Sequence, residues 1–455
     1  MNEDARKPPV RVGGLDLRGL LRLYADRHEL LTIQREVSTE YELAAVTDAV
    51  QRNSGQPLVF ERVSGSPMPV ATNLLGTRHR IAEVIGIRHD EFCQKWTEAM
   101  SAQVAWSTGI VDDGTPPARL HGRLSDLPLI KYFERDAAPY FTAGVFVGAD
   151  PDTGVRNLSF HRAMYVNDHE LRVRLAPTHH LTRYHEMAEA RGEALEAAMI
   201  LGAPPAMLVA AASPVPYEVD EYDVAARLAG RQIPVYRGTT VKLPLPVEAE
   251  VVVEGYFLPN ERRPEGPFGE FMGYYTGGDN AVFEVSDVSW RPDPVFHSIL
   301  CGSPEEVLLL ELSVAASIYQ RVSAVLPGII DVACSPFVNQ AVVKIHQLYE
   351  GHARQVLLAA LGAELTWCKF CTVVDEDVDI YDVADVQWAI LTRPRPDSAL
   401  MVVDNVPSFY RDPHRDHWGR VGIDATAPFE RLAEYVRKRI PGAGDVRLED
   451  YIGGH

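Results

Sequence analysis

Pro264-Glu265-Gly266-Pro267-Phe268-Gly269-Glu270 sets two carboxylates five residues apart on a backbone broken by proline and glycine. Such a stretch is no helix interior, because proline lacks an amide donor and glycine costs conformational entropy. It reads as a loop able to hold both acids over one pocket. Two carboxylates in one pocket repel, and burial penalises their charge. Their pKa values separate, and one becomes a proton donor near neutrality. The competing reading is a solvated acidic turn, and the rest of the chain decides between them.

The flanks of this stretch are β-rich. Upstream, Thr142 to Gly148, Asn157 to Val166 and Glu170 to Ala176 read as strands, and Leu181 to Ala190 as a helix. Apolar runs at Met207 to Ala212 and Ala249 to Tyr256 flank a helix over Tyr222 to Ala229. Downstream, Val282 to Trp290 and Pro294 to Leu300 alternate. This predicts a central, mostly antiparallel sheet or barrel with helices packed on it.

Before a Gly/Pro-rich linker at Asp112 to Pro117, the pattern is α/β. Helices are expected near Asp16 to Ala25 and Glu42 to Arg52, and strands at Leu30 to Val37 and Pro57 to Val63. After Pro304 the α/β pattern returns, with helices over Glu306 to Val322, Val383 to Leu391 and Pro428 to Arg439. Asn339 to Leu361 contains a long helix, and strands fall at Gly328 to Cys334, Leu365 to Val374 and Leu400 to Val403. The fold class is α/β (α+β multidomain), and the 455 residues bury large cores without disulfide or metal staples.

A formal charge of -19 argues against a nucleic-acid partner, because phosphate backbones need a basic footprint. The N-terminus has no apolar signal region and no run spans a bilayer, so the expected location is cytoplasmic. Five scattered cysteines then read as reduced thiols. Cys368-Lys369-Phe370-Cys371 is formally a C-x-x-C, but it lies in an apolar, β-prone segment with no second ligand pair. Core thiols are favoured over a zinc or redox site.

Three further stretches carry chemistry: Asn157-Leu158-Ser159-Phe160-His161-Arg162, Ala176-Pro177-Thr178-His179-His180, and Val219-Asp220-Glu221-Tyr222-Asp223. Each alone has a plain reading: a strand arginine in solvent, a loop histidine pair, or acids at a helix N-terminus where negative charge is favoured. In this order and spacing, with the two glutamates, they resemble the UbiD-type decarboxylases that use prenylated FMN. The likeness extends through Asp16-Leu17-Arg18, Arg35-Glu36-Val37, Asp126-Leu127-Pro128 and Pro139-Tyr140-Phe141-Thr142-Ala143-Gly144. It continues to Val374-Asp375-Glu376-Asp377-Val378-Asp379 and Gly422-Ile423-Asp424-Ala425-Thr426.

The resemblance implies an N-terminal α/β domain (1–113), a split β-barrel that binds prenylated FMN (114–304) and a C-terminal α/β oligomerisation domain (305–455). It implies Arg162, Glu265 and Glu270 as the catalytic set, with Arg162 pairing Glu265 and a substrate carboxylate. Glu270, with less positive charge beside it, is expected to carry the proton. Asn157, His180 and Glu221 match ligands of a divalent cation, Mn2+ or Mg2+, at the flavin phosphate, with K+ nearby. Ser159, Phe160, His161 and His179 fall among the cofactor-binding positions, and Arg420 matches a phosphate contact where relatives carry lysine. A surface arginine is the alternative for Arg420. In such enzymes the modified flavin bonds covalently to the substrate and takes up electrons as CO2 leaves. The implied partners are a flavin prenyltransferase that supplies the cofactor and further copies of the chain in a homodimer or higher oligomer.

Asn157 and Arg162 are an odd number of residues apart, so on one regular strand they would face opposite ways. Either a bulge intervenes, or Asn157 precedes the strand. Phe271 beside Glu270, with His161 and His179 uncommitted, favours a heteroaromatic acid such as an indole or pyrrole carboxylate. The alternatives are a cinnamate-like or polyketide-type α,β-unsaturated acid, an ordinary FMN oxidoreductase, or a non-catalytic flavin binder. The segment Asp412 to Gly419, with His414, Arg415, His417 and Trp418, either reaches the pocket or lies exposed.

Overall fold

The structure is a computed structural model that describes residues 11–101, 107–112, 117–334, 336–363, 367–407, 409, 418–442, 446 and 451. The expected helices and strands fall mostly within these residues, whereas His414, Arg415 and His417 lie outside them. Two compact units result, Arg11–Ser313 and Val314–His455.

The first unit begins with α1 (Leu17–Asp26), β1 (Leu31–Ile33), α2 (Glu42–Asn53), β2 (Leu58–Phe60), β3 (Val70–Thr72), α3 (Arg78–Ile85) and α4 (Phe92–Ser101). It continues with β4 (Ile110–Asp112), β5 (Leu120–His121), β6 (Tyr140–Phe141), β7 (Val145–Ala149), β8 (Arg156–Phe160), β9 (Ala163–Asn167) and β10 (Glu170–Val173). Then come α5 (His180–Glu189), β11 (Leu195–Leu201), α6 (Pro205–Ala211), α7 (Glu221–Ala229), β12 (Ile233–Arg237) and β13 (Pro244–Pro246). The long strands β14 (Val251–Gly269) and β15 (Tyr275–Trp290), followed by β16 (Phe296–His297), complete it. Helix α8 (Pro304–Ser323) carries the chain into the second unit. There lie β17 (Ile329–Ala333), β18 (Gln340–Ile345), α9 (His352–Ala363), β19 (Phe370–Asp375), α10 (Val383–Thr392), β20 (Leu400–Asp404) and β21 (Gly419–Ala425).

The central sheet has nine strands in the order β6-β9-β10-β15-β14-β11-β7-β8, with β5 paired to β15. Its pairings are antiparallel, as the alternation predicts. Among the described residues no ladder joins the β6 and β8 ends. Phe146, Phe257 and Phe283 meet between β7, β14 and β15 with ring centroids 5.0 to 5.7 Å apart. Each is fully buried, and each such side chain contributes about 1.5–3 kcal/mol. Smaller sheets flank it in this unit: β1-β2-β3-β16 and β13-β12-β4. The second unit is built on β17-β18-β19-β21-β20, with parallel pairing at β18–β19 and β19–β21.

Local chemistry explains several boundaries. Asp16 caps α1 by accepting from Gly19 N at 2.8 Å, and Asp220 caps α7 by accepting from Tyr222 N at 2.9 Å. The single strand expected over Asn157 to Val166 is two strands, broken at His161-Arg162. There His161 N donates to Gly144 O and Arg174 N to Arg162 O, so the chain changes neighbours between β8 and β9. That break, rather than a bulge, answers the parity question.

Other expectations are corrected. The loop at 264–270 is the bulged end of β14, with a register shift between Glu265 and Phe268 and Gly266 at φ +91°. The apolar run Met207 to Ala212 is the helix α6 as far as Ala211, with Ala212 its C-cap and Pro205 in its first turn. Asn339 to Leu361 is a strand and then a helix, β18 and α9. Pro428 to Arg439 holds only 3-10 turns, Phe429–Tyr435, interrupted at Arg431. Strands β11 and β21 are among several elements that the sequence pattern does not predict. The Glu-Ala-Ala-Met run of β11 has helical composition, and β21 is glycine-rich because a Cβ at Gly422 would press on Leu357 of α9 at 3.1 Å. Among the described residues no helix is long and apolar enough to cross a membrane.

Candidate active site and cation cradle

Arg162 stands just before β9 and reaches across to the bulged end of β14. Its Nε donates to Glu265 Oε1 at 3.0 Å and its Nη2 to Glu265 Oε2 at 2.8 Å. Its Nη1 donates to Thr276 Oγ1 at 3.1 Å and to Glu270 Oε1. The bulge lets one strand end present both carboxylates to one guanidinium. The arginine side chain is 8% exposed and the two glutamates 0% and 4%. Burial alone lowers the Arg162 pKa, but the carboxylates of Glu270 and Glu265 outweigh it and raise it. Glu270 was expected to have less positive charge beside it than Glu265, and one guanidinium serves both. The asymmetry lies in the donors of Arg162: Glu265 takes its two-pronged bond, with Asn280 Nδ2 at 2.9 Å, while one Arg162 nitrogen, Nη1, reaches Glu270.

Several neighbours were given no individual role from the sequence. Phe268 lies under the Arg162 guanidinium, 4.7 Å from it, and its ring sits 4.4 Å from that of Tyr140. Burial, then the charge of Glu265, pushes the Tyr140 hydroxyl pKa up, so it is a neutral hydroxyl. Asp136 anchors the strand end. Its Oδ1 accepts from Gly269 N at 2.9 Å, and its Oδ2 accepts from Phe133 N at 2.9 Å and Tyr132 N at 3.2 Å. The only local cue to such a residue is an aspartate beside a turn, which many surface aspartates share.

A second cluster lies at the outer strand β8 and the N-termini of α5 and α7. Asn157 Nδ2 donates to Glu221 Oε1 at 2.8 Å, and His180 Nδ1 lies 3.2 Å from the same oxygen. Glu221 is buried, and among the described residues its Oε2 has no hydrogen-bond partner. Burial raises its pKa despite His180 and Asn157. A buried carboxylate oxygen without a donor is costly, and a cation removes that cost. Amide oxygen, imidazole and carboxylate together form a donor set that fits Mn2+ or Mg2+.

The other expected positions fall as follows. Ser159 Oγ lies 2.6 Å from Asn157 Oδ1 and 2.9 Å from His161 Nε2. His161 is buried, and its Nδ1 lies 3.0 Å from Arg174 O. Both its nitrogens are engaged, so it is not the uncommitted histidine expected of a substrate contact. Burial, then neighbouring His179, pushes its pKa down to about 3. The His179 ring lies 5.0 Å from that of His161, and Phe160 packs at the edge of the central core. Arg420 sits in the second unit. It is buried, against the surface alternative, and its guanidinium donates to the carbonyls of Pro407, at 2.7 Å, and Leu361.

A cleft of about 740 Å³ opens in the first unit between the exposed face of α2 and the turn before α8, lined by Tyr41, Tyr132, Phe133, Cys301 and Gly302 among others. It backs onto the Glu270 turn: a Cβ at Gly302 would lie 3.6 Å from Phe271 Cα.

Comparison with known proteins places the chain. Three family models match in succession along the chain. The 3-octaprenyl-4-hydroxybenzoate carboxy-lyase N-terminal domain covers residues 21–100, the Rift-related domain 112–304 and the C-terminal domain 307–425. The chain belongs to the UbiD family. It is a carboxy-lyase of that class. It is 33% identical over 426 residues to the anhydromevalonate phosphate decarboxylase of Methanothermobacter thermautotrophicus, covering 92% of this chain and 99% of that one. The UbiD-class enzyme HmfF from Pelotomaculum thermopropionicum, in complex with FMN, superposes with a TM-score of 0.90 at 32% identity, over 96% of this chain and 100% of that one. An evolved dimeric form of HmfF with prFMN gives 0.87 at the same identity and coverage.

Proposed function

We propose that this UbiD-family member reversibly decarboxylates an unsaturated or (hetero)aromatic acid, with Arg162 orienting the substrate carboxylate and Glu270 protonating the carbon that loses CO2. The observation that carries this is a single buried guanidinium joined to both Glu265 and Glu270. Glu265, held by two arginine nitrogens and Asn280, fixes the guanidinium plane. When Glu270 is neutral, its hold on Nη1 weakens and that nitrogen is free to take a carboxylate oxygen. The same protonation therefore loads the acid and opens the binding fork.

Prenylated FMN, when bound, supplies the electron sink that the departing CO2 requires. Asn157, His180 and Glu221 hold Mn2+ or Mg2+ at its phosphate in this reading, with K+ beside it. Ser159, Phe160, His161 and His179 border the cofactor. A flavin prenyltransferase supplies the group, the middle domain is a split barrel, and the chain works as a homodimer or higher oligomer.

A heteroaromatic acid such as indole or pyrrole carboxylate is the favoured substrate, since Phe271 follows the proposed acid. The anhydromevalonate phosphate decarboxylases supply a second reading, an aliphatic unsaturated acid bearing phosphate. The test is to co-express the chain with a flavin prenyltransferase, weigh the bound flavin, and offer both acid types. A prenylated FMN mass with CO2 release from a heteroaromatic acid is expected. Plain FMN without CO2 release would instead favour an ordinary oxidoreductase. Turnover of the phosphorylated acid alone would move the substrate class.

A further inference from the structure

The contacts around Ser159 contain a conflict that decides which way the Asn157 amide faces when a cation is bound. A carbonyl oxygen only accepts, so His161 Nδ1, 3.0 Å from Arg174 O, carries the proton. His161 is buried among Phe146, His179 and Ser159, with no carboxylate on it among the described residues, and its pKa is pushed down to about 3. The ring is neutral, and its Nε2 is an acceptor. Ser159 Oγ, 2.9 Å away, must donate to it. A hydroxyl has one proton. The 2.6 Å contact between Ser159 Oγ and the Asn157 side chain then needs its proton from the amide. A half-turn of that amide exchanges its oxygen and nitrogen and meets the need.

The half-turn puts Asn157 Oδ1 where Nδ2 now lies, 2.8 Å from Glu221 Oε1, which is itself 3.2 Å from His180 Nδ1. Two oxygens at that distance repel unless a cation or a proton lies between them. Glu221 Oε2, buried and without a hydrogen-bond partner, adds to the demand for a cation. We propose that His161 and Ser159 are positioning residues that hold the Asn157 amide oxygen toward Glu221 and His180, preorganising a divalent-cation site. The protons run one way, from Asn157 Nδ2 to Ser159 Oγ, from Ser159 Oγ to His161 Nε2, and from His161 Nδ1 to Arg174 O. This rests on the cation reading of Asn157, His180 and Glu221 given above, and it assigns two residues that touch no metal.

The experiment measures Mn2+ binding to the flavin-free full chain, with Mn2+ alone as the probe and free ion counted by electron paramagnetic resonance. Ser159→Ala and His161→Phe each remove one link, and Ser159→Thr keeps the hydroxyl. The two deletions should weaken Mn2+ by about 10- to 100-fold, the usual effect of losing an outer-shell partner, while Ser159→Thr restores binding. Nitrogen NMR of the wild-type His161 ring should show the Nδ1-H tautomer. If wild type binds Mn2+ and both deletions leave its affinity within about twofold, the relay is wrong and the ligand set stands. An Nε2-H tautomer would also overturn it. A wild type that takes up no Mn2+ would remove the ligand set and this proposal together. Loss in His161→Phe from misfolding is separated by His161→Gln, whose side-chain oxygen offers an acceptor to Ser159 and should retain binding.

Discussion

Arg162 divides its donors unequally, and the division determines what each glutamate can do. Three nitrogens face two carboxylates and a threonine hydroxyl in a site with almost no solvent. Removing one partner of such a buried pair is costly because the other charge is left uncompensated. Glu270→Gln avoids that trap. The amide oxygen still accepts from Nη1, but no acidic proton remains. Turnover should fall by about 10²- to 10⁴-fold with flavin and metal content unchanged. Single-turnover kinetics on holoprotein checks this, and unchanged turnover would remove Glu270 from the proton-donor role. Arg162→Lys is a harsher change than it looks, since an ammonium cannot make the two-pronged bond to Glu265.

At the scale of elements, the strand end that carries Glu265 and Glu270 is held from outside by Asp136, through three backbone N–H groups. Asp136→Ala leaves those donors buried without acceptors, at about 1–3 kcal/mol each if water does not replace the carboxylate. We expect a lower melting temperature and slower turnover, with Mn2+ binding unaltered because that cluster sits on β8, α5 and α7. Calorimetry and metal titration on one sample test both halves. Helix α8 makes a separate prediction. Glu311 is buried, and burial pushes its pKa from 4.5 up to about 8, against the pull of Arg78. The folded state thus holds a proton that the unfolded chain releases above 4.5. The stability it contributes is full below 4.5 and is lost as pH rises to about 8. Glu311→Gln should flatten that slope in urea titrations at pH 5 and pH 8. These two residues also mark what sequence conveys. Arg162, Glu265, Glu270, Asn157, His180 and Glu221 were legible because a motif ties each to its local order. Asp136, Thr276 and Asn280 act through partners on other elements, and no local pattern singles them out. The β8–β9 break was hidden for the same reason. Its cause is a change of hydrogen-bonding neighbour from Gly144 to Arg174, which only the assembled sheet contains.

At the scale of the whole molecule, a formal charge of -19 opposes retention of any phosphate-bearing cofactor. Local cations must offset that field. The cluster at Glu221 adds another carboxylate to the problem unless a divalent ion bridges it to the phosphate. Metal and flavin retention should therefore be coupled. Holoprotein treated with a chelator and passed through a desalting column should lose flavin to the filtrate, and Mn2+ added before the column should prevent this. Ionic strength gives the sign of the long-range part. The screening length is about 30 Å at 0.01 M salt and about 8 Å at 0.15 M, so an unscreened acidic protein expels a free phosphate more strongly. Chelated protein should thus release flavin faster at 0.01 M than at 0.15 M, while metal-loaded protein should show little difference. Flavin absorbance in the filtrate reads all four conditions. Equal release with and without chelator would mean that the acidic surface is offset by arginines alone, and the cation at Asn157, His180 and Glu221 would lose its role in holding the cofactor.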